Sequence, residues 1–153
     1  MKAVHIHRHG SEDVLQIEAL EVPVPAEDEV LVRIHSAALN HLDIWVRGGI
    51  PGVPLPIIPG SDASGVIEEC GRLVKRNGRW QPGQEVVLVP FRSCGHCLHC
   101  LSGEENLCPE YRIPGEHLDG YQAEYVTVPE RYILPKPQVL SFDEAAAFPL
   151  ATL

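Results

Sequence analysis

Four cysteines, Cys94, Cys97, Cys100 and Cys108, fall within fifteen residues. No other feature constrains the chain as tightly. Two, two and seven residues separate them, so their thiolates can surround one ion without help from the rest of the fold. The spacing points to a tetrahedral, all-cysteine zinc site. The competing reading is an iron–sulfur cluster, because Cys-x2-Cys-x2-Cys opens a ferredoxin-type run and Pro109 follows the last cysteine. Against it, the final gap is seven residues rather than three, and there is no second run. Ligands gathered in one loop cost little closure entropy, and Gly95 and Gly103 permit the turns around the ion. His96 and His99 lie inside the loop and are read as bystanders. A closed four-ligand site leaves no position for a substrate, so it specifies a metal and not a reaction.

A chain of 153 residues is one domain's worth and can bury a core without the metal. The formal net charge is -9 with no basic cluster, whereas a duplex-binding surface needs Lys and Arg to replace phosphate counterions, which argues against nucleic-acid partners. No apolar run reaches membrane-spanning length. The first residues lack the apolar stretch of a signal peptide. A cytoplasmic location is the expectation, where reduced thiols favour metal over disulfide. Cys70 stands apart in an apolar segment and reads as a buried, inert thiol.

Fourteen prolines and thirteen glycines punctuate short apolar runs, which predicts a mainly β architecture. Strands are expected over 2–7, 14–19, 29–35, 66–68, 86–89, 124–128 and 132–134. In the clearest of them Val30, Val32 and Ile34 alternate with Leu31, Arg33 and His35. A helix is expected over 40–47, ending at Gly48-Gly49, with Leu42, Trp45 and Val46 at helical spacing. A second is expected from Ser141, where Ser141-Phe142-Asp143-Glu144 forms a capping box. The Pro-rich run 51–59 reads as an extended loop.

Two further constellations carry polar groups. Asn40-His41-Leu42-Asp43, with Trp45 and Arg47 beyond, follows the strongest strand and could line a cleft. It also suits a plain helix start, with Asn40 as cap and Asp43 in the first turn. Gly60-Ser61-Asp62 places a hydroxyl and an acid before a strand, and it reads equally well as a turn.

Taken in order, these pieces resemble the N-terminal, GroES-like domain of the medium-chain dehydrogenase/reductase superfamily. That superfamily includes zinc alcohol dehydrogenases, quinone oxidoreductases and enoyl reductases. The resemblance rests on Met1-Lys2-Ala3, Glu29-Val30-Leu31-Val32-Arg33, Ala38-Leu39-Asn40-His41-Leu42-Asp43 and Pro59-Gly60-Ser61-Asp62-Ala63-Ser64-Gly65-Val66. It continues through Pro82-Gly83-Gln84-Glu85-Val86-Val87, the cysteine loop and Asp119-Gly120-Tyr121-Gln122-Ala123-Glu124-Tyr125-Val126. It implies a partly open GroES-like β-barrel over residues 1–140, with short helices and a zinc-binding loop at about 92–112. Residues 141–153 would begin a connection to a Rossmann dinucleotide-binding domain. The cysteine loop would hold structural zinc.

The resemblance also implies where catalysis would sit. Zinc alcohol dehydrogenases carry a Cys at the position of Asn40, a His at that of Ser61 and a Glu at that of Asp62. Asn and Ser are poor zinc ligands. A proton-relaying hydroxyl is replaced by Leu42, while Asp43 matches a conserved type of supporting acid. Asn40, Asp43, Ser61 and Asp62 are therefore the candidate catalytic residues, and His41 is the candidate contact to the cofactor. The pattern is similar to the quinone- and enoyl-reductase branch, where hydrogen-bond donors serve the developing oxyanion.

No Gly-x-Gly-x-x-Gly run follows a strand and opens a helix. The expectation is thus the substrate-side domain of an NAD(P)H-dependent oxidoreductase, inactive alone and completed by a Rossmann domain in cis or in trans. Its substrate would be a small carbonyl, enone or quinone, and the full-length form a homo-oligomer. Two alternatives stand beside it. One is a zinc-dependent alcohol dehydrogenase domain, with His41 or Asp62 recruited to metal. The other is a stand-alone zinc-stabilised β module that binds partners.

Overall fold

A computed structural model describes residues 1–152, so Leu153, the end of the expected connection, lies outside the described residues. Strands β1 (Lys2–Ile6) and β2 (Leu15–Ala19) form an antiparallel pair. Five more strands make a second antiparallel sheet: β3 (Glu29–Ala38), β4 (Asp62–Cys70), β5 (Glu85–Leu88), β6 (Tyr125–Pro129) and β7 (Ile133–Pro135). Their order is β6-β3-β4-β5-β7. The two outer strands do not pair with each other, so the sheet is open, mainly β in class as the sequence predicts. Strand β1 is tied across to the larger sheet's approach by Val4 N–H donating to Gln122 O at 2.9 Å and Glu124 N–H donating to Lys2 O at 2.9 Å.

The alternation read in β3 holds only in part. Val30 and Val32 are fully buried, but Leu31, read on the opposite face, is buried as well; Arg33 and Ile34 are half-buried and His35 is exposed. Val30 and Val32 join Ile67, Val86, Leu88, Tyr121, Val128 and Ile133 in the main core. A second, smaller core gathers Ile6, Val14, Val46 and Ile57. It is built where the Pro-rich run returns to β1: Ile6 and Ile57 exchange backbone hydrogen bonds of 2.9 and 3.0 Å. Helix α1 (His41–Gly48) contributes Val46 to it. Fully burying a valine side chain is worth about 1.5–3 kcal/mol, and this contact holds α1 against the sheet. Trp45, one residue earlier, is 59% exposed. The helical spacing it shares with Leu42 and Val46 does not turn it inward.

Three elements depart from expectation, one strand and two short helices. Strand β4 begins at Asp62, four residues earlier than the apolar run suggests. Its first residues are Asp62, Ala63 and Ser64, paired with Ala38, Ala37 and Ser36. Buried polar residues carry no strand signature, so only the pairing reveals them. Helix α2 (Arg72–Asn77) has a single buried residue, Val74, and no apolar period to announce it. Helix α3 (Leu98–Leu101) lies inside the cysteine loop. Helix α4 (Phe142–Ala147) starts at the expected box, with Ser141 Oγ accepting from Glu144 N–H at 3.2 Å. It lies on the larger sheet, where Phe142 stacks on His35 at 4.3 Å between ring centroids. Ser64 Oγ donates to Phe142 O at 2.7 Å.

One crossing leaves no room for a side chain. Gly120 passes so close to Pro59 and Gly60 that its Cβ would meet Gly60 O at 2.2 Å. Gly60 itself takes φ +97, the left-handed region open to glycine. This crossing delivers both Asp62 and Gln122 to the same part of the molecule.

Candidate functional site

Two sites emerge. In the first, the chain between β5 and β6 folds back so that Cys94, Cys97, Cys100 and Cys108 bring their sulfurs within 4.8 Å of one another. Sγ of Cys100 lies 3.8 Å from that of Cys94 and 3.5 Å from that of Cys97. Backbone N–H groups point at the cluster. Gly95 donates to Cys100 Sγ and Cys97 to Cys94 Sγ, both at 3.3 Å. Glu110 donates to Cys108 Sγ at 3.3 Å and Cys94 to Cys108 Sγ at 3.4 Å. Such donors offset thiolate charge. The backbone N–H of His96 leads in drawing the Cys94 thiol down to about 6. Four clustered sulfurs with this support suit a structural zinc, which would be held closed on all sides. His96 Nδ1 lies 3.0 Å from Cys94 O, and a ring nitrogen of His96 falls within 4.8 Å of Cys94 Sγ and of a Glu110 oxygen.

The loop is fastened to the fold at its base. Arg92 and Arg112 exchange backbone hydrogen bonds of 2.7 and 2.8 Å. Tyr132 Oη accepts from Ser93 N–H at 2.6 Å and donates back to Ser93 O. Arg131 donates to Ser93 O and, at 3.3 Å, to Cys94 O.

The second site is a cleft of about 360 Å³ whose lining includes Asn40, His41, Asp43, Arg47 and Gln122. Because Ala38 pairs with Asp62, the chain leaving β3 brings Asn40 beside the start of β4. Asn40 Nδ2 donates to Asp62 Oδ2 at 3.0 Å. Asn40 N–H donates to Asp43 Oδ2 at 2.7 Å, fixing the entry to α1. Leu150 N–H also donates to Asp62, at 3.1 and 3.3 Å to its two oxygens. Burial pushes the Asp62 carboxyl up, and the Asp43 charge adds to it, against the bonds from Asn40 and Leu150. Burial likewise raises Asp43, against backbone donors from Asn40 and Gly60.

The structure thus brings Asn40, Asp43 and Asp62 together. His41 is exposed on the cleft's rim. Ser61 stands apart: it is buried and its Oγ donates to Pro114 O at 2.7 Å, fastening the chain behind the cleft. Gln122 was not singled out from the sequence, although it lines the cleft and its Nε2 is buried without a hydrogen-bond partner. Arg47, expected as a cleft wall, does line it, and its Nε also lacks a partner. The signal for Gln122 was the tight Gly120-Tyr121 approach, which places whatever follows it opposite Pro59.

The model of the alcohol dehydrogenase GroES-like domain matches residues 26–138. The chain belongs to that family. This GroES-like chain is 40% identical over 136 residues to an alcohol dehydrogenase of Geobacillus stearothermophilus, covering 86% of this chain and 39% of that protein. It is 35% identical over 156 residues to a crotonyl-CoA carboxylase/reductase of Cereibacter sphaeroides, covering 97% of this chain and 36% of the relative. A crystal structure of an NAD-dependent alcohol dehydrogenase superposes with a TM-score of 0.92 at 51% identity, covering 98% of this chain and 43% of that one. The chain therefore spans about two-fifths of the length of these relatives.

Proposed function

We propose that the chain is the substrate-side domain of an NAD(P)-dependent oxidoreductase of the medium-chain type, in which zinc is structural and the cleft works by hydrogen bonding. In this reading residues 1–140 form the substrate domain, and 141–153 begin the connection to a dinucleotide-binding domain, in cis or in trans. The substrate is an activated C=C compound or a quinone. The observation that carries the proposal is the Asn40–Asp62 hydrogen bond. An amide held by a buried acid is a positioned donor, where a metal site would need a thiolate or an imidazole.

Among the described residues, the three clusters of metal-binding side chains all lie outside this cleft. The described residues form no dinucleotide cradle, and His41 is exposed at the rim. Hydride would come from a nicotinamide held by the dinucleotide-binding domain. The chain's own part is to orient the substrate and stabilise charge on its oxygen. Asp62 takes one amide hydrogen of Asn40 and leaves the other for that oxygen. Losing one such donor costs about 10²–10³ in rate. Asp43 positions Asn40 through its backbone N–H, and Ser61 holds the wall behind it.

A second reading, alcohol oxidation at a cleft-bound metal, is favoured by two neighbouring acids, half-buried Asp43 and buried Asp62, both raised by burial. The deciding experiment joins the chain to a dinucleotide-binding domain and measures zinc content and turnover. Enone or quinone reduction falling about 100-fold or more in Asn40→Ala, with zinc content unchanged in Asp62→Ala, supports the hydrogen-bonding cleft. Alcohol oxidation together with a zinc that Asp62→Ala removes refutes it.

A further inference from the structure

A cluster away from both sites carries ligand chemistry of its own. His5 lies in β1 and His7 one residue past its end, and both rings meet Glu18. On β2, Glu18 pairs with Ala3 and His5 pairs with Gln16, so Glu18 reaches His5 diagonally. Its Oε2 lies 2.7 Å from His5 Nδ1, and its Oε1 lies 2.7 Å from His7 Nε2. The two rings meet edge-on with centroids 5.3 Å apart. One ligand atom from each residue lies within 4.8 Å of the other two. Among the described residues, no lysine or arginine pairs with Glu18; Arg8 pairs with Asp13 instead.

We propose that His5, His7 and Glu18 form a second metal site, separate from the cysteine loop, that takes one borderline divalent transition ion such as zinc or nickel. Two imidazoles and a carboxylate are a donor set those ions accept, with remaining positions filled by water. The His5 side chain is only 13% exposed, which fixes its ring, while His7 at 46% and Glu18 at 32% can adjust. Around a tetrahedral ion with bonds near 2.0–2.1 Å, ligand atoms stand about 3.3 Å apart. Glu18 must therefore withdraw by about half an ångström, a small rotation for a surface carboxylate. His5 Nδ1 and His7 Nε2 now donate to the Glu18 carboxylate, so each must give up that hydrogen, to its other ring nitrogen or to solvent, before its lone pair can meet the ion. Binding exchanges two hydrogen bonds for three metal bonds.

The test loads the cysteine loop with zinc first, then follows further zinc uptake by calorimetry. The intact chain takes up one additional ion. His7→Ala and Glu18→Gln weaken that uptake tenfold or more, and His96→Ala leaves it unchanged. Nickel broadens the ring resonances of His5 and His7 in the intact chain before those of His96 and His99. His7 is exposed, and an unchanged melting curve for its alanine variant shows that loss of binding is not loss of fold. The proposal is overturned by absence of a further ion in the intact chain, by unchanged uptake in His7→Ala, or by uptake that depends on His96.

Discussion

The crossing of Gly120 over Pro59 and Gly60 allows a stability prediction worked from distances. A Cβ added to Gly120 would lie 2.2 Å from Gly60 O, 2.5 Å from Pro59 O and 2.7 Å from Pro59 C. Carbon–oxygen contacts rest at about 3.3 Å or more, so the two backbones must part by about 1 Å. Three hydrogen bonds resist this: Gly120 N–H to Ile58 O at 2.7 Å, Tyr121 N–H to Gly60 O at 2.9 Å, and Gln122 N–H to Pro59 O at 3.0 Å. Each contributes about 0.5–1.5 kcal/mol net, and overpacking costs about 1–3 kcal/mol. No flexible side chain is present to yield. We expect Gly120→Ala to lose about 3 kcal/mol, lowering Tm by about 6–12 °C for a chain of this size. Gly48, the last residue of α1, is the internal control. A Cβ there meets nothing within 4 Å, so Gly48→Ala gains about 0.4–1 kcal/mol through the unfolded chain and helix propensity. Urea unfolding of the zinc-loaded protein reads both. A loss under about 1 kcal/mol for Gly120→Ala, or equal losses for the two variants, refutes the reasoning.

The remaining expectations concern the two sites. Cys97→Ser loses zinc from the loop and exposes residues of the loop to amide exchange, while the main sheet stays protected; full zinc occupancy in that variant rules out the four-sulfur site. Tyr132→Phe removes the three hydrogen bonds between its hydroxyl and Ser93 and costs about 1–3 kcal/mol, read by thermal melting with the loop loaded. For pH, Asp43 and Asp62 have native values raised above 3.8 by burial, so the native state holds protons that the unfolded chain releases. Their cost to stability is absent below 3.8 and grows as pH rises through the native values. Asp62→Asn should flatten that fall in the stability-against-pH curve, and an unchanged slope in denaturant melts contradicts the assignment.

Much of this was legible in local pattern. The alternation in β3, the box at Ser141 and the cysteine spacing each act over a few residues, so the sequence states them directly. Long-range consequences were not legible. Asn40 meets Asp62 across 22 positions only because Ala38 registers with Asp62, and that register includes shifts between Leu31 and Val32 and between Ile34 and Ser36. No period in the sequence encodes such shifts. Trp45 and Val46 show the limit of helical spacing: one residue of rotation separates 59% exposure from none. Only the tertiary contact with Ile6 and Ile57 decides which of the two turns inward. The pairing of His5, His7 and Glu18 escaped for the same reason, since it needs the hairpin's register.

The open sheet has a consequence for how the chain behaves in concentrated solution. A strand with a free flank offers N–H and C=O groups to any other extended chain, which is how edge-to-edge association begins. Here the two outer strands are short, five residues in β6 and three in β7. Each ends in a proline, Pro129 and Pro135, which has no N–H to offer. The larger sheet stays unclosed, and its two outer strands still present little that a second copy can zip onto.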